Sequence, residues 1–230
     1  MSKLSWKRIV AALLTGLAVL TALPSLAKGP QFIPPYIVTA SDIPYPINAA
    51  TPGIVTLILS LDATAKMENV QILRDTPPLT SAAQTAVQTW TLTPAKRDGS
   101  PVPSTVSVNV AFNPFNPGGV AIEGLGVPLP PLSQAPEATP FTPPQIASGS
   151  YAVYPVNSVA SGTVVLDVTV GKMGGVAKVK VICDVPSLTP EAIKAVKAWG
   201  FSPATFKGQP IAAHLVVAFV FPSPALARPA

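Results

Sequence analysis

AVKAWGFSPATFKGQP, residues Ala195–Pro210, restates AVQTWTLTPAKRDGSP, residues Ala86–Pro101, at a constant offset of 109 positions. Sliding the whole chain by that offset aligns Tyr45-Pro46-Ile47-Asn48 with Tyr154-Pro155-Val156-Asn157. It also places Gly53 on Gly162, Asp75 on Asp184, Leu79-Thr80 on Leu188-Thr189, Trp90 on Trp199 and Phe112 on Phe221. About 20 of roughly 68 positions are identical without an insertion, the mark of internal duplication. A weaker echo, Phe32, Pro34-Pro35 and Ile37 over Phe141, Pro143-Pro144 and Ile146, extends the repeat into a Pro-rich lead-in.

Both copies follow one pattern. Val55, Leu57, Leu59 and Leu61 alternate with Thr56, Ile58 and Ser60, the period of a half-buried strand. Val164, Leu166, Val168 and Val170 repeat it, and Gly171 to Gly175 then predicts a hairpin turn. The first copy has Asp62 to Lys66 there, without glycine, so a looser turn is expected. Second strands follow around Val70–Leu73 and Val179–Ile182. The period then changes: Ala83, Ala86, Val87 and Trp90, like Ala192, Ala195, Val196 and Trp199, give one apolar helix face. Thr80 and Thr189 are placed to cap these helices, with Pro190 and Glu191 suiting the first turn of the second. Pro94 and Pro203 bound them. A last strand carries Val106, Val108, Val110 and Phe112, matched by Leu215, Val217, Phe219 and Phe221.

The fold class expected is α+β: two small two-layer domains, each strand–strand–helix–strand, with one helix on a three-stranded sheet. Each Trp reads as a packing anchor, and Gly99 and Gly208 as turn residues.

Of the 230 residues, 48% are hydrophobic and 11% charged, with 29 prolines. The sequence pI of about 9.4 suggests an acidic partner until the charges are mapped. Lys3, Lys7 and Arg8 precede an apolar run from Ile9 to Leu23, followed by Ser25-Leu26-Ala27. That is the layout of a secretion signal cleaved after Ala27. Cleavage removes three of 15 basic residues and none of the ten acidic ones, leaving a net charge of +2. The other reading is an uncleaved anchor, for which the run is short, since a spanning helix needs about 20 apolar residues. Cys183, the single cysteine, has no intramolecular disulfide partner and reads as a small core residue.

The division expected is therefore a signal peptide at 1–27, a Pro-rich lead-in at 28–44 and a first domain at 45–112. A Pro-rich linker at 113–150 with nine prolines, a second domain at 151–222 and a tail at 223–230 follow.

In this order the elements resemble the C-terminal domain of the TonB family. They are Tyr154-Pro155, Gly162 to Leu166, Val179 to Val181, Ala195 to Trp199, Pro203-Ala204, Gly208 to Pro210 and Phe221, with the same series from Tyr45 to Phe112. The resemblance covers about 136 of the 230 residues. It implies an exported, periplasmic binding module that grasps an extended segment of an envelope or outer-membrane transport protein by pairing along a sheet edge. An exposed strand offers unpaired amides and carbonyls to such a segment. In the family the strand after the helix is the usual edge. That maps to Thr105, Val106, Ser107, Val108, Asn109 and Val110, and to His214, Leu215, Val216, Val217, Ala218, Phe219 and Val220. The two strands differ: Ser107 and Asn109 are polar off the core, whereas Val216, Ala218 and Val220 make the second strand apolar on both faces. A strand of that kind is normally covered on both sides, so Leu215–Phe221 is expected to lie against the other repeat, a second subunit or a partner.

The alternative is a membrane-anchored energy transducer. Only residues 28–44 separate the apolar run from the first domain, a reach of about 50 Å as polyproline, and the linker would add about 100 Å for the second. No enzyme is expected. His214 and Cys183 are the single histidine and the single cysteine, too few to build a His/Cys metal site. Asp75 and Asp184 read as turn residues, and Gly171 to Gly175 lacks the ending of a phosphate loop. Lys172, Lys178 and Lys180 cluster without aromatic interleaving, which does not fit nucleic-acid binding. No cofactor or metal is expected. The partner expected is a protein, with contact through the last strand between domains or in a homodimer as a further possibility.

Overall fold

A computed structural model describes residues 31–49, 51–114, 129 and 140–223. The expected signal peptide, most of the expected linker and most of the tail lie outside them. Among the described residues no helix is long and apolar enough to cross a membrane.

Each repeat forms the expected series. The first has β1 (Gly53–Leu61), β2 (Met67–Arg74), α1 (Leu79–Val87) and β3 (Ser104–Phe112). The second has β4 (Gly162–Val170), β5 (Val176–Cys183), α2 (Thr189–Lys197) and β6 (Ala213–Phe221). The two three-stranded platforms are not separate, however. They join into one six-stranded sheet in the order β2-β1-β3-β6-β4-β5. All neighbours are antiparallel except the central pair, where Val108–Phe112 runs parallel to Val216–Val220.

That order is a palindrome of equivalent strands around a parallel seam, so an approximate two-fold axis runs along the strands and turns the sheet over. The helices therefore lie on opposite faces. On one face α1 packs on Val55, Leu57, Val108 and Val110, in a core that continues onto Val165, Val216, Ala218 and Val220 of the second repeat. On the other, α2 packs on Val164, Leu166, Val217 and Phe219, in a core that reaches Ile54 and Ala111 of the first. The register obeys this inversion. Side chains directly opposite each other share a face, so the helix-side Val108 must pair with Val216, which points away from α2, rather than with its own counterpart Val217.

The half of each face that lacks a helix is covered by the other repeat's lead-in. Ile37–Thr39 pairs with Thr91–Leu92, and Gln145–Ser148 with Gly200–Ser202, each within its own repeat. Phe32–Ile33 and Phe141–Thr142 pair with the hairpins Ala95–Val102 and Ala204–Ile211. From there Ile37 and Ile43, both fully buried, join the core beneath the second repeat's Val216, Ala218 and Val220. The Ile43 N–H donates to Thr163 Oγ1 (2.8 Å), whose hydroxyl reaches back to the Ile43 carbonyl (3.2 Å). Symmetrically, the Ala152 N–H donates to Asn113 Oδ1 (3.0 Å). Residues 140–150, expected as linker, are thus a structured lead-in. Two-residue strands carry too little periodicity to be read from sequence.

Both indoles are buried, Trp90 at 6% and Trp199 at 5% exposure. Trp199 Nε1 donates to the Ser150 carbonyl (2.9 Å). The threonines do not cap as expected: neither helix start has a side-chain cap. Thr80 and Thr189 instead accept from the N–H of Thr76 (2.8 Å) and Val185 (3.1 Å), tying the incoming turn to the helix. The first hairpin turn is also not loose. One Asp62 oxygen accepts from the N–H groups of Thr64 (2.8 Å) and Lys66 (2.9 Å) and from the Thr64 hydroxyl (2.7 Å). Those bonds, led by the Thr64 hydroxyl, hold the Asp62 carboxyl below its ordinary pKa.

Candidate partner-binding edges

The last strand of each repeat was the expected edge, and the structure corrects this. Thr105–Val110 pair along β1 on one side, and Val108, Asn109 and Val110 meet Val216, Val217 and Ala218 on the other. His214–Val220 pair along β4, and from Val216 onward also along β3. Neither strand is an edge. Their amide rows face each other, so a third strand finds no free ladder between them. The cause is the one flagged by the apolar Val216, Ala218 and Val220: burying a valine is worth about 1.5–3 kcal/mol, and the first repeat's lead-in supplies the cover.

Ser107 and Asn109, read as polar positions off the core, are fully buried as well. They survive burial because they are bonded. Thr56 Oγ1 donates to Asn109 Oδ1 (3.0 Å), Asn109 Nδ2 to Ser107 Oγ (3.2 Å), and Arg74 to Thr56 Oγ1 (3.3 Å) and the Ile146 carbonyl (3.4 Å). Burial lowers the Arg74 pKa. His214, paired with Thr169 of β4 but below the start of the seam with β3, has Nδ1 3.0 Å from Oδ1 of the buried Asp167, with the Tyr36 ring beside it.

Below Val108 and Val216 the strands cease to pair. Phe32, Phe141 and Phe206 gather there, with Phe32 stacked on Phe206 at 4.4 Å and tilted against Phe141 at 4.9 Å. A cleft of about 270 Å³ opens beside them, lined by Ser60, Glu68, Arg97 and Thr105 among others. Cys183 is half-buried, and burial, with Asp42 and Asp184 nearby, pushes its thiol pKa up, as suits an unreactive packing residue. Among the described residues no three His, Cys, Asp or Glu side chains gather into a metal-binding group.

The hydrogen-bonding edges left open are β2 and β5, the second strand of each repeat; neither has a strand on its outer side among the described residues. Val70 and Ile72 on β2, like Val179 and Val181 on β5, are half-buried toward their helices. Asn69, Lys178 and Lys180 on the opposite side are exposed. Sequence reasoning passed over these two strands. The signal was available, since a last strand apolar on both faces must be interior, which moves the edge to the second strand.

Neither a curated protein nor a solved structure matches the chain. The family model for the Gram-negative bacterial TonB protein C-terminal matches residues 42–114 and 152–222, more than half of the chain, once over each repeat. Domains of this family are envelope-associated and interact with outer-membrane proteins rather than catalysing a reaction. The twice-built strand–strand–helix–strand unit and the two matched segments together place the chain in the TonB C-terminal family, as a tandem of two such domains.

Proposed function

We propose that the protein is an exported, periplasmic binding module that recognises an extended segment of an envelope or outer-membrane transport protein by adding it as a strand to the outer edges of the six-stranded sheet. The observation that carries this reading is the strand order. With β3 and β6 paired to each other at the seam, β2 and β5 are the outer strands of the six-stranded sheet, each with an open row of backbone donors and acceptors among the described residues. Binding through Val108–Val110 or Val216–Val220 would require the seam to open, against the burial of Val216, Ala218 and Val220.

Site-specific photo-crosslinking in intact cells tests it. A photoreactive residue at Asn69 or Lys178 is expected to capture an envelope protein, and one at Ser107 is not. Capture from Ser107 alone would overturn the outer-edge reading. Mass spectrometry of the mature chain decides how it is held: Lys28 as the first residue is expected, and an intact N-terminus would favour the anchored transducer.

A further inference from the structure

The two open edges are built on the same plan but differ in charge. The second repeat carries Lys172, Lys178, Lys180, Lys194 and Lys197, where the first has Ala63, Asn69, Gln71, Thr85 and Gln88. Lys178 and Lys180 lie on β5 itself, both exposed and both on the face away from α2, since Val179 and Val181, which alternate with them, pack toward the α2 core. The cross-strand neighbour of Lys180 is Asp167, whose carboxylate is buried and turned to His214. On its open side Lys180 therefore meets no acid from β4. The lead-in strand Ile37–Thr39 packs against β5.

We propose, resting on the sheet-edge reading above, that β5 is the selective edge and takes an extended segment whose acidic residues alternate with apolar ones. Paired beside Lys178–Val181, such a segment sets its apolar side chains next to Val179 and Val181 and its carboxylates next to Lys178 and Lys180. Alternation is required because neighbouring residues of a strand face opposite ways. β2 offers the same apolar side, but Asn69 and Gln71 stand where β5 has Lys178 and Lys180, and Arg74 on that face is buried and bonded to Thr56 and the Ile146 carbonyl, so β2 lacks this preference. Lysines on an edge also discourage strands from adding at all, and the test separates that role from recognition.

The probes are three capped nine-residue peptides alternating valine with glutamate, lysine or threonine, titrated into the full chain and followed by calorimetry and amide chemical shifts. The glutamate peptide is expected to bind with shifts centred on Lys178–Val181, at least about tenfold more tightly than the lysine peptide, and more weakly as salt rises. Lys178→Glu with Lys180→Glu is expected to reduce its affinity about tenfold or more. Lys178→Asn with Lys180→Gln, which installs the first repeat's residues, should give a smaller loss and serves if the reversal variant misfolds. Asn69→Glu with Gln71→Glu should leave binding unchanged. Equal binding of all three peptides at β5, or loss only in the Asn69/Gln71 variant, would overturn charge selection at β5 while leaving sheet-edge binding intact. Binding of none of the peptides would overturn both and mark the lysines as protective.

Discussion

Ala65 and Gly174 occupy the same step of the two hairpin turns, and both have positive φ, 67° and 83°. Only glycine takes that conformation freely, since a side chain costs about 1–2 kcal/mol there. Ala65→Gly relieves this strain and loses some of the gain to the freer unfolded chain, so a net gain of about 0.5–1 kcal/mol is expected in urea unfolding. The reverse change, Gly174→Ala, also drives a Cβ into the Phe201 carbonyl oxygen and is expected to cost about 2–3 kcal/mol. The Gly171–Gly175 turn was legible because glycine announces it. The Asp62 turn was not, because its order comes from one carboxylate that reads as an ordinary surface acid. Tyr151 supplies a pH test: burial, then the neighbouring Tyr45, pushes its phenol from 10.0 up to about 12. The folded state favours the protonated phenol, so this contribution is complete below pH 10 and lost as pH rises through about 12. Burial raises Tyr45 as well, so absorbance titration should show both tyrosines ionising late, with the urea midpoint falling as Tyr151 ionises.

At the scale of elements, the six long strands and two helices were legible because each runs through at least two periods of its pattern. The lead-ins were not, although Phe32 and Ile37 recurring as Phe141 and Ile146 marked them as part of the repeat. Their strands pair with short strands of their own repeat and pack on the surface of the other, which local periodicity cannot report. They nonetheless hold the fold together. Ile43→Ala removes a buried side chain from beneath the seam and is expected to cost roughly 2–5 kcal/mol. For a chain of this size that lowers the melting temperature by about 10 °C, measurable by calorimetry. The edge assignment failed for the same reason. Which strand ends a sheet is decided by what docks on it, and the docking surface lies about a hundred positions away in sequence.

At the scale of the molecule, the continuous sheet and exchanged lead-ins predict one cooperative unfolding transition, with calorimetric and van't Hoff enthalpies in agreement. Residues 140–223 expressed alone would leave Val165, Val216, Ala218 and Val220 without their cover and are expected to aggregate or to pair with a second copy in size-exclusion chromatography. A monodisperse, monomeric fragment would show the seam to be dispensable. The aromatic trio at the end of the seam has a consequence of its own. Phe32 and Phe141 are the same position in the two copies and touch across the axis, whereas Arg97 and Phe206, also counterparts, are different residues, with the guanidinium 5.5 Å over the ring. A homodimer encoded by a single copy would place two arginines or two phenylalanines there. Within one polypeptide the two sides of the junction carry different residues, and its assembly is a first-order event indifferent to dilution.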